Sequence, residues 1–218
     1  MSRTKNQARA KPLSRRGLLG GAAAIFAIGA APPSRATAMA LTPRQSRGPF
    51  YPVSLPLDSD NDLVHVAGRK HAATGDITDI FGRVSDISAN PLPGVLVEIW
   101  QCDAHGRYHH PRDNNATPDV NFQGYGRYTT DADGGYRFRT IKPVPYPGRT
   151  PHIHFALSGV GVRPLVTQMY LQGEAGNQHD ALFNALGRSG RRLLVELRGA
   201  QQPGAVFQGE FNIVLARS

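Results

Sequence analysis

The chain has 218 residues, 40% of them hydrophobic, with 25 Lys+Arg against 16 Asp+Glu and a formal net charge of +9. Seven of the basic residues (Arg3, Lys5, Arg9, Lys11, Arg15, Arg16, Arg35) and none of the acidic ones lie in the first 40 residues, so the remainder carries 18 against 16, a net +2. The basic excess therefore belongs to the leader and is no footprint for nucleic acid, which is not expected as a partner.

Taken in chain order, Ser14-Arg15-Arg16-Gly17-Leu18-Leu19 is a twin-arginine pattern behind a basic leader. The apolar run from Leu18 to Ala31 falls short of the roughly 20 residues that span a bilayer. Ala38-Met39-Ala40 fits the small-x-small cleavage rule. Residues 1–40 are thus expected to be a twin-arginine signal peptide cut after Ala40. The protein would be exported, periplasmic or secreted, with no stable membrane anchor. Export after folding suits a cofactor inserted beforehand. The 178 residues from Leu41 to Ser218 suffice for one domain with a sizeable core. Cys102 is the only cysteine, so no internal disulfide can form. It follows an apolar run and reads as a buried structural thiol.

Residues 41–76 read as a long irregular N-terminal arm containing Gly48-Pro49-Phe50-Tyr51-Pro52 and a polar patch at Asp58–Asp62. From Ile77 the chain breaks into short strands cut by Gly, Pro, Asp and Asn. Strands are expected at Ile77–Val84, Val95–Cys102, Gly126–Thr130, Tyr136–Ile141, His152–Ser158, Leu165–Leu171, Leu193–Leu197 and Val206–Leu215. Asn90–Gly94 and Asp103–Gly106 read as turns, and Asp131–Gly135 as the turn of a hairpin joining its two flanking strands. Only His179–Leu186 reads as helical. The pattern predicts an all-β fold, an antiparallel β-sandwich over residues 77–218.

Chemistry concentrates in Tyr146-Pro-Gly-Arg149-Thr-Pro-His152-Ile-His154-Phe155. On a strand, His152 and His154 share one face while Ile153 and Phe155 turn to the core. Two imidazoles on one face can hold a metal, and a phenolate at Tyr146 suits a hard, oxidised ion such as Fe(III). Taken singly, each residue has a bland reading: a polar strand face, a loop aromatic, a solvated arginine. A second phenol comes from Trp100-Gln-Cys-Asp-Ala-His-Gly-Arg-Tyr108, where a turn after a strand presents Tyr108. Two phenolates and two imidazoles neutralise most of a ferric charge, unlike the two-histidine, one-carboxylate set of Fe(II) oxygenases. His105, His109 and His110 read as solvent or pocket-rim residues. Trp100 and Tyr136 read as core, Tyr125 as core or pocket wall, and Asp103 as a turn acceptor.

Together these segments resemble the intradiol ring-cleavage dioxygenases. The likeness covers most of the chain beyond the leader: Gly48–Tyr51, Pro91–Tyr108, Asn121–Arg127, Thr130–Pro143, Tyr146–Phe155 and Leu165–Tyr170. It implies a sandwich of the transthyretin/immunoglobulin kind. It also implies an Fe(III) enzyme that uses O2 to cleave a catechol-type diol between its hydroxyl-bearing carbons, giving a cis,cis-muconate. Carried over by position, Tyr108, Tyr146, His152 and His154 would be the iron ligands, with Tyr146 leaving when substrate binds. Arg149 would stabilise substrate charge and Gln168 would stand near the iron-bound hydroxide. In size the chain resembles the iron-bearing subunit of two-subunit family members, which leaves open a homo-oligomer or a second subunit. Two other readings stand beside this one. A transthyretin-like binding module without catalysis is opposed by the intact four-residue set. A different metalloenzyme on His152 and His154, such as a zinc hydrolase, is opposed by the tyrosine pair.

Overall fold

A computed structural model describes residues 38–56, 58–113 and 117–218. The twin-arginine leader and most of the expected signal therefore lie outside the described residues.

Among the described residues, ten strands build two five-stranded sheets. In the first, β1 (Ile77–Asp86) pairs antiparallel with β4 (Gly135–Ile141) and parallel with β9 (Phe207–Glu210), which pairs in turn with β8 (Arg198–Gly199). In the second, the order is β3 (Tyr125–Thr129), β2 (Leu96–Trp100), β5 (His152–Ser158), β6 (Leu165–Leu171) and β7 (Leu194–Val195). The strands form because β-branched and aromatic residues alternate with polar ones, and the inward set packs between the sheets. Ile80, Val84 and Phe138 come from one sheet, Val97, Ile99, Ile153, Phe155 and Leu157 from the other. Each fully buried side chain of this size contributes about 1.5–3 kcal/mol.

The sandwich is as expected, but the sheets are mixed: β1 also takes β10 (Ile213–Leu215) in parallel, and β6 takes β7 in parallel. The expected hairpin across Asp131–Gly135 is not formed. The turn exists, with Gly134 N bonded to Asp131 O and Gly135 N to the Asp131 carboxylate. Its flanks, however, go to different sheets, β3 to β2 and β4 to β1. Thr130 decides this: its hydroxyl donates to Leu92 O and accepts from Val95 N, which holds the end of β3 against the β2 side. The expected strand Val206–Leu215 appears as β9 and β10 in one register, with Phe81 opposite Glu210 and Val84 opposite Ile213. The break has a local cause. Asn212 Oδ1 replaces a main-chain acceptor for Arg83 N, and Tyr136 Oη captures Phe211 O. Phe211 O also lies so close to Gly82 that any Cβ there would collide with it.

Leu193–Leu197 shrinks to the two-residue β7, and the expected helix reduces to α1 (Ala181–Asn184) between 3-10 segments Ala175–His179 and Gly187–Leu193. Among the described residues, 41–76 form no strand of either sheet, but main-chain bonds tie them to several strands: Thr42 N to Val214 O, Gln45 N to Val166 O, Leu63 N to Arg139 O and Arg127 N to Asp60 O, with an isolated bridge between Asp62 and Arg139. Among the described residues no helix is long and apolar enough to cross a membrane. Cys102 is buried, and burial pushes its thiol up to about 12, which fits a structural residue.

The C-terminus is latched at Asp86. Its carboxylate accepts from Arg217 Nε at 2.8 Å and from Ser88 N and Asn90 N, and the Arg217 bond foremost holds its pKa down at about 2, below the ordinary 3.8. A lowered carboxyl contributes stability above its unfolded pKa and loses it as pH falls through the folded value. Asp86→Asn should therefore lower the urea midpoint at neutral pH. The gap to wild type should shrink below about pH 4 and close near pH 2. A gap that persists undiminished at pH 2 would remove the charge from this account.

Candidate active site

The site lies on the outer face of the second sheet. Along β5 the residues alternate, so Ile153, Phe155 and Leu157 enter the core while His152, His154 and Ala156 face outward. Even so, His152 and His154 are each only 1% exposed. Their outer face is covered by a second cluster of Trp100, Cys102, Tyr108, Tyr125 and Ala156, with Phe50, Tyr51, Val144 and Tyr146 packed on it.

Much of the cover is the N-terminal arm. Gly48 sits against the His154 ring, Phe50 stacks on Tyr108 at 4.7 Å between centroids, and Tyr51 meets Trp100 edge-on at 5.0 Å. Tyr51 and Tyr125 both donate to Glu98 Oε1, at 2.8 and 2.6 Å, and Arg47 lies over the Tyr51 ring. Ser46 O accepts from Gln168 Nε2 at 2.8 Å, which ties the arm directly to a candidate site residue.

All six expected site residues converge. His152 Nε2 and His154 Nε2 face each other at 3.3 Å. The Tyr146 ring centre lies 5.5 Å from that of His152, and Tyr108 lies 5.6 Å from Tyr146 and 6.3 Å from His154. Arg149 Nη1 is 3.5 Å from Tyr146 Oη, and Arg149 Nη2 is 2.5 Å from Gln168 Oε1. The local sequence explains the placement. Tyr146-Pro-Gly-Arg149 closes a tight turn, with Arg149 N bonded to Tyr146 O at 2.9 Å and Gly148 at φ +80°, as a proline–glycine turn requires. That turn sets Tyr146 and Arg149 side by side at the entrance to β5. Tyr108 follows a turn built on buried Asp103, whose carboxylate accepts from His105 N, Arg107 N and Asp119 N, the acceptor role expected of it. Gly106 in that turn lets it lie against Tyr146.

Proton placement follows from the partners. His152 Nδ1 lies 2.6 Å from Thr150 O, and a carbonyl only accepts, so Nδ1 carries the hydrogen and Nε2 presents a lone pair. Burial first, then the Arg149 charge, lowers His152 to about 4, while burial first, then the neighbouring His152 and then Arg149, holds His154 well below the ordinary histidine range. Both imidazoles are neutral at pH 7. Burial, and then the neighbouring Tyr146 phenol, pushes Tyr108 well above the ordinary tyrosine value, and burial also raises Tyr146. The Tyr108 hydroxyl and His154 Nδ1 are buried with no hydrogen-bond partner among the described residues. This donor set fits a multiply charged cation. Neutral nitrogens converge, and the two phenols, both raised by burial, would ionise only beside strong positive charge. Among the described residues no three His, Cys, Asp or Glu side chains group to hold a metal, so a site here needs the phenols.

The wider sequence agrees. Residues 47–217 match the profile described as Dioxygenase. The chain is 40% identical over 168 residues to the protocatechuate 3,4-dioxygenase beta chain of Burkholderia cepacia, covering 72% of this chain and 71% of that one. The chain belongs to the intradiol ring-cleavage dioxygenases. Hydroxyquinol 1,2-dioxygenase of Corynebacterium glutamicum is 32% identical over 78% of this chain and 62% of its own length. Among solved structures, the dioxygenase domain of a dioxygenase carbohydrate-binding fusion from Streptomyces sp. SirexAA-E superposes with TM-score 0.63 at 33% identity, covering 82% of this chain and all of that one. The 3-chlorocatechol 1,2-dioxygenase of Rhodococcus opacus 1CP gives 0.65 at 25% identity, covering 81% of this chain and 73% of its own. Membership of this enzyme family sets aside the reading of a binding module without catalysis.

Sequence reasoning missed Asp180, Tyr170 and the Glu98 anchor. Tyr170 lies two residues after Gln168 on β6 and so shares its face, a period-two signal already present in the sequence. Trp100 is buried as expected but forms the wall of this site, its ring parallel to His154 at 4.8 Å. Tyr125 is a pocket-side residue through Glu98. His110 sits at the rim, edge-on to Phe50, and His105 and His109 are exposed.

Gly48→Ala tests the arm. Gly48 has φ +68°, and a Cβ there would stand 3.2 Å from His154 Cε1. A non-glycine residue in this backbone region costs about 1–2 kcal/mol. The variant should lose at least that much in urea unfolding, and the arm should become the first site of limited proteolysis. Wild-type stability and digestion would show that the arm does not bear on the histidine.

Proposed function

We propose that the protein is an Fe(III)-dependent intradiol dioxygenase that cleaves a catechol-type aromatic diol with O2 between its hydroxyl-bearing carbons. The observation that carries this reading is the approach of the two imidazole Nε2 atoms to 3.3 Å beside one buried phenol, one half-buried phenol and one arginine. His152 and His154 would hold the metal through Nε2, and Tyr108 and Tyr146 through their phenol oxygens. Ferric iron bound there would draw electron density from a chelated catecholate and so open its ring to O2.

The chain's own residues account for the rest. Tyr108 is 3% exposed and wedged between Phe50 and Tyr146, so it is the fixed phenol. Tyr146 is half-buried on a turn and is the one free to swing away, taking up a proton from a substrate hydroxyl as it goes. Arg149 keeps a guanidinium beside that oxygen, where substrate charge develops, and such a fixed cation gains strength in a dry pocket. Gln168 bridges Arg149 and the arm and would orient small oxygen ligands. Trp100 and Phe50 exclude water from the histidines and Tyr108. Protocatechuate, hydroxyquinol and 3-chlorocatechol, after which the relatives are named, all carry adjacent ring hydroxyls, and that shared feature is the substrate class assigned here.

Metal analysis with a visible spectrum is the deciding experiment. The purified protein should contain iron and be red-brown from phenolate-to-iron charge transfer. Tyr108→Phe should bleach it and His152→Ala should lose the metal. With a catechol and O2 the product should be a cis,cis-muconate. A colourless protein holding stoichiometric zinc, or cleavage beside the two hydroxyls, would overturn the reading.

We also assign export through the twin-arginine route. Ala40 and Leu41 are exposed, while Thr42, just beyond the expected cut, is bonded to Val214 through both N and Oγ1. Met39 N, before the cut, also donates to Ile87 O, so cleavage after Ala40 would give up that bond and keep the Thr42 pair. Replacing Arg15 and Arg16 together by lysine should leave the protein in the cytoplasm, and the exported form should begin at Leu41. Normal delivery of the double variant or an intact leader on exported protein would refute the assignment.

A further inference from the structure

Arg149 is held along its whole guanidinium. Nε donates to Asp180 Oδ2 at 2.8 Å, Nη2 donates to Gln168 Oε1 at 2.5 Å and approaches Tyr170 Oη at 3.3 Å, and Nη1 faces Tyr146 Oη at 3.5 Å. Asp180 has 0% side-chain exposure. Its Oδ2 takes Arg149 Nε and Thr150 N, and its Oδ1 takes Phe183 N at the start of α1. α1 has four residues, and Ser or Asn would cap it without burying a charge. A buried carboxylate is tolerated only when paired. The segment that carries Asp180 is itself clamped, since Asn177 accepts from Thr150 Oγ1 and donates to Leu171 O. The whole excursion after β6 thus delivers one carboxylate beneath Arg149.

We infer that Asp180 is a positioning residue for ring cleavage: it fixes the guanidinium plane of Arg149 so that Nη1 stays beside the Tyr146 hydroxyl. This rests on the dioxygenase reading above. With Nε and Nη2 committed to Asp180 and Gln168, the plane cannot turn without breaking both bonds. Without Asp180 the side chain pivots about Gln168 and Nη1 leaves its place.

The test is a double-mutant cycle on the purified metal-loaded protein with Arg149→Ala, Asp180→Asn and the pair combined, and with Asp180→Ser as a second single variant that keeps a cap. Asp180→Asn and Asp180→Ser should each lower kcat by about tenfold to a hundredfold with a much smaller change in KM. Metal content should stay near wild type, and the thermal midpoint should fall, because a buried ion pair is broken, while the protein still folds. The combined variant should be no slower than Arg149→Ala alone, because the two residues act as one unit. A readout free of turnover is the labelling of Arg149 by phenylglyoxal, followed by mass spectrometry, which should be several-fold faster in both Asp180 variants. Multiplying kcat losses, an unchanged labelling rate, failure of both single variants to fold, or loss of metal in step with activity would each overturn the inference. If the wild type instead fails to cleave catechols, the dioxygenase reading falls, while the labelling rates still decide whether Asp180 fixes Arg149.

Discussion

Everything at the site depends on drying the wrong face of a β-strand. Alternation gives β5 one apolar face for the core and one face carrying His152 and His154. Left to solvent, those imidazoles would be ordinary surface groups. The fold instead covers them with Trp100, Tyr108 and the arm, and desolvation then depresses both histidines and raises both phenols. The arm makes no strand, yet its contacts fall on the chemistry: Gly48 on His154, Phe50 on Tyr108, Ser46 on Gln168. Glu98 pins it there by accepting from Tyr51 on the arm and Tyr125 on β3 at once. A carboxylate with two phenol donors is a strong acceptor, and it adds to the main-chain bonds from Thr42, Gln45 and Leu63 that hold a segment with no strand of its own.

Local pattern made the histidine strand legible. Period two fixed which faces His152, Ile153, His154 and Phe155 would take, and Pro147-Gly148 fixed the turn that brings Tyr146 beside Arg149. Interactions over long separations were not legible. Asp180 lies 31 residues from Arg149 and Glu98 lies 47 from Tyr51, and no spacing rule links them. The same holds for β3 and β4. Their turn residues are those of a hairpin, and only the capture of Thr130 by Leu92 and Val95 shows that the chain crosses between sheets there. The sequence pattern likewise predicted one strand from Val206 to Leu215. The register confirms its continuity, while the Tyr136–Phe211 contact that interrupts it depends on a partner 75 residues away.

The charge arrangement carries the argument furthest. The pocket holds one compensated ion pair, Arg149 with Asp180, in which burial opposes both charges and their mutual hydrogen bond helps to outweigh it. Around that pair stand two neutral imidazoles and two phenols held in their protonated forms. Such a site is close to neutral by itself. On the proposed reading, a multiply charged cation bound there would lower the phenols and be held by the two imidazole nitrogens. The half-exposed position of Tyr146 then matters. Of the two phenols it is the one that solvent and a diol can reach, and it stands next to the guanidinium. On the proposed reading, burial would divide the labour between two residues of the same type: sealed Tyr108 would stay, and half-buried Tyr146 would exchange protons.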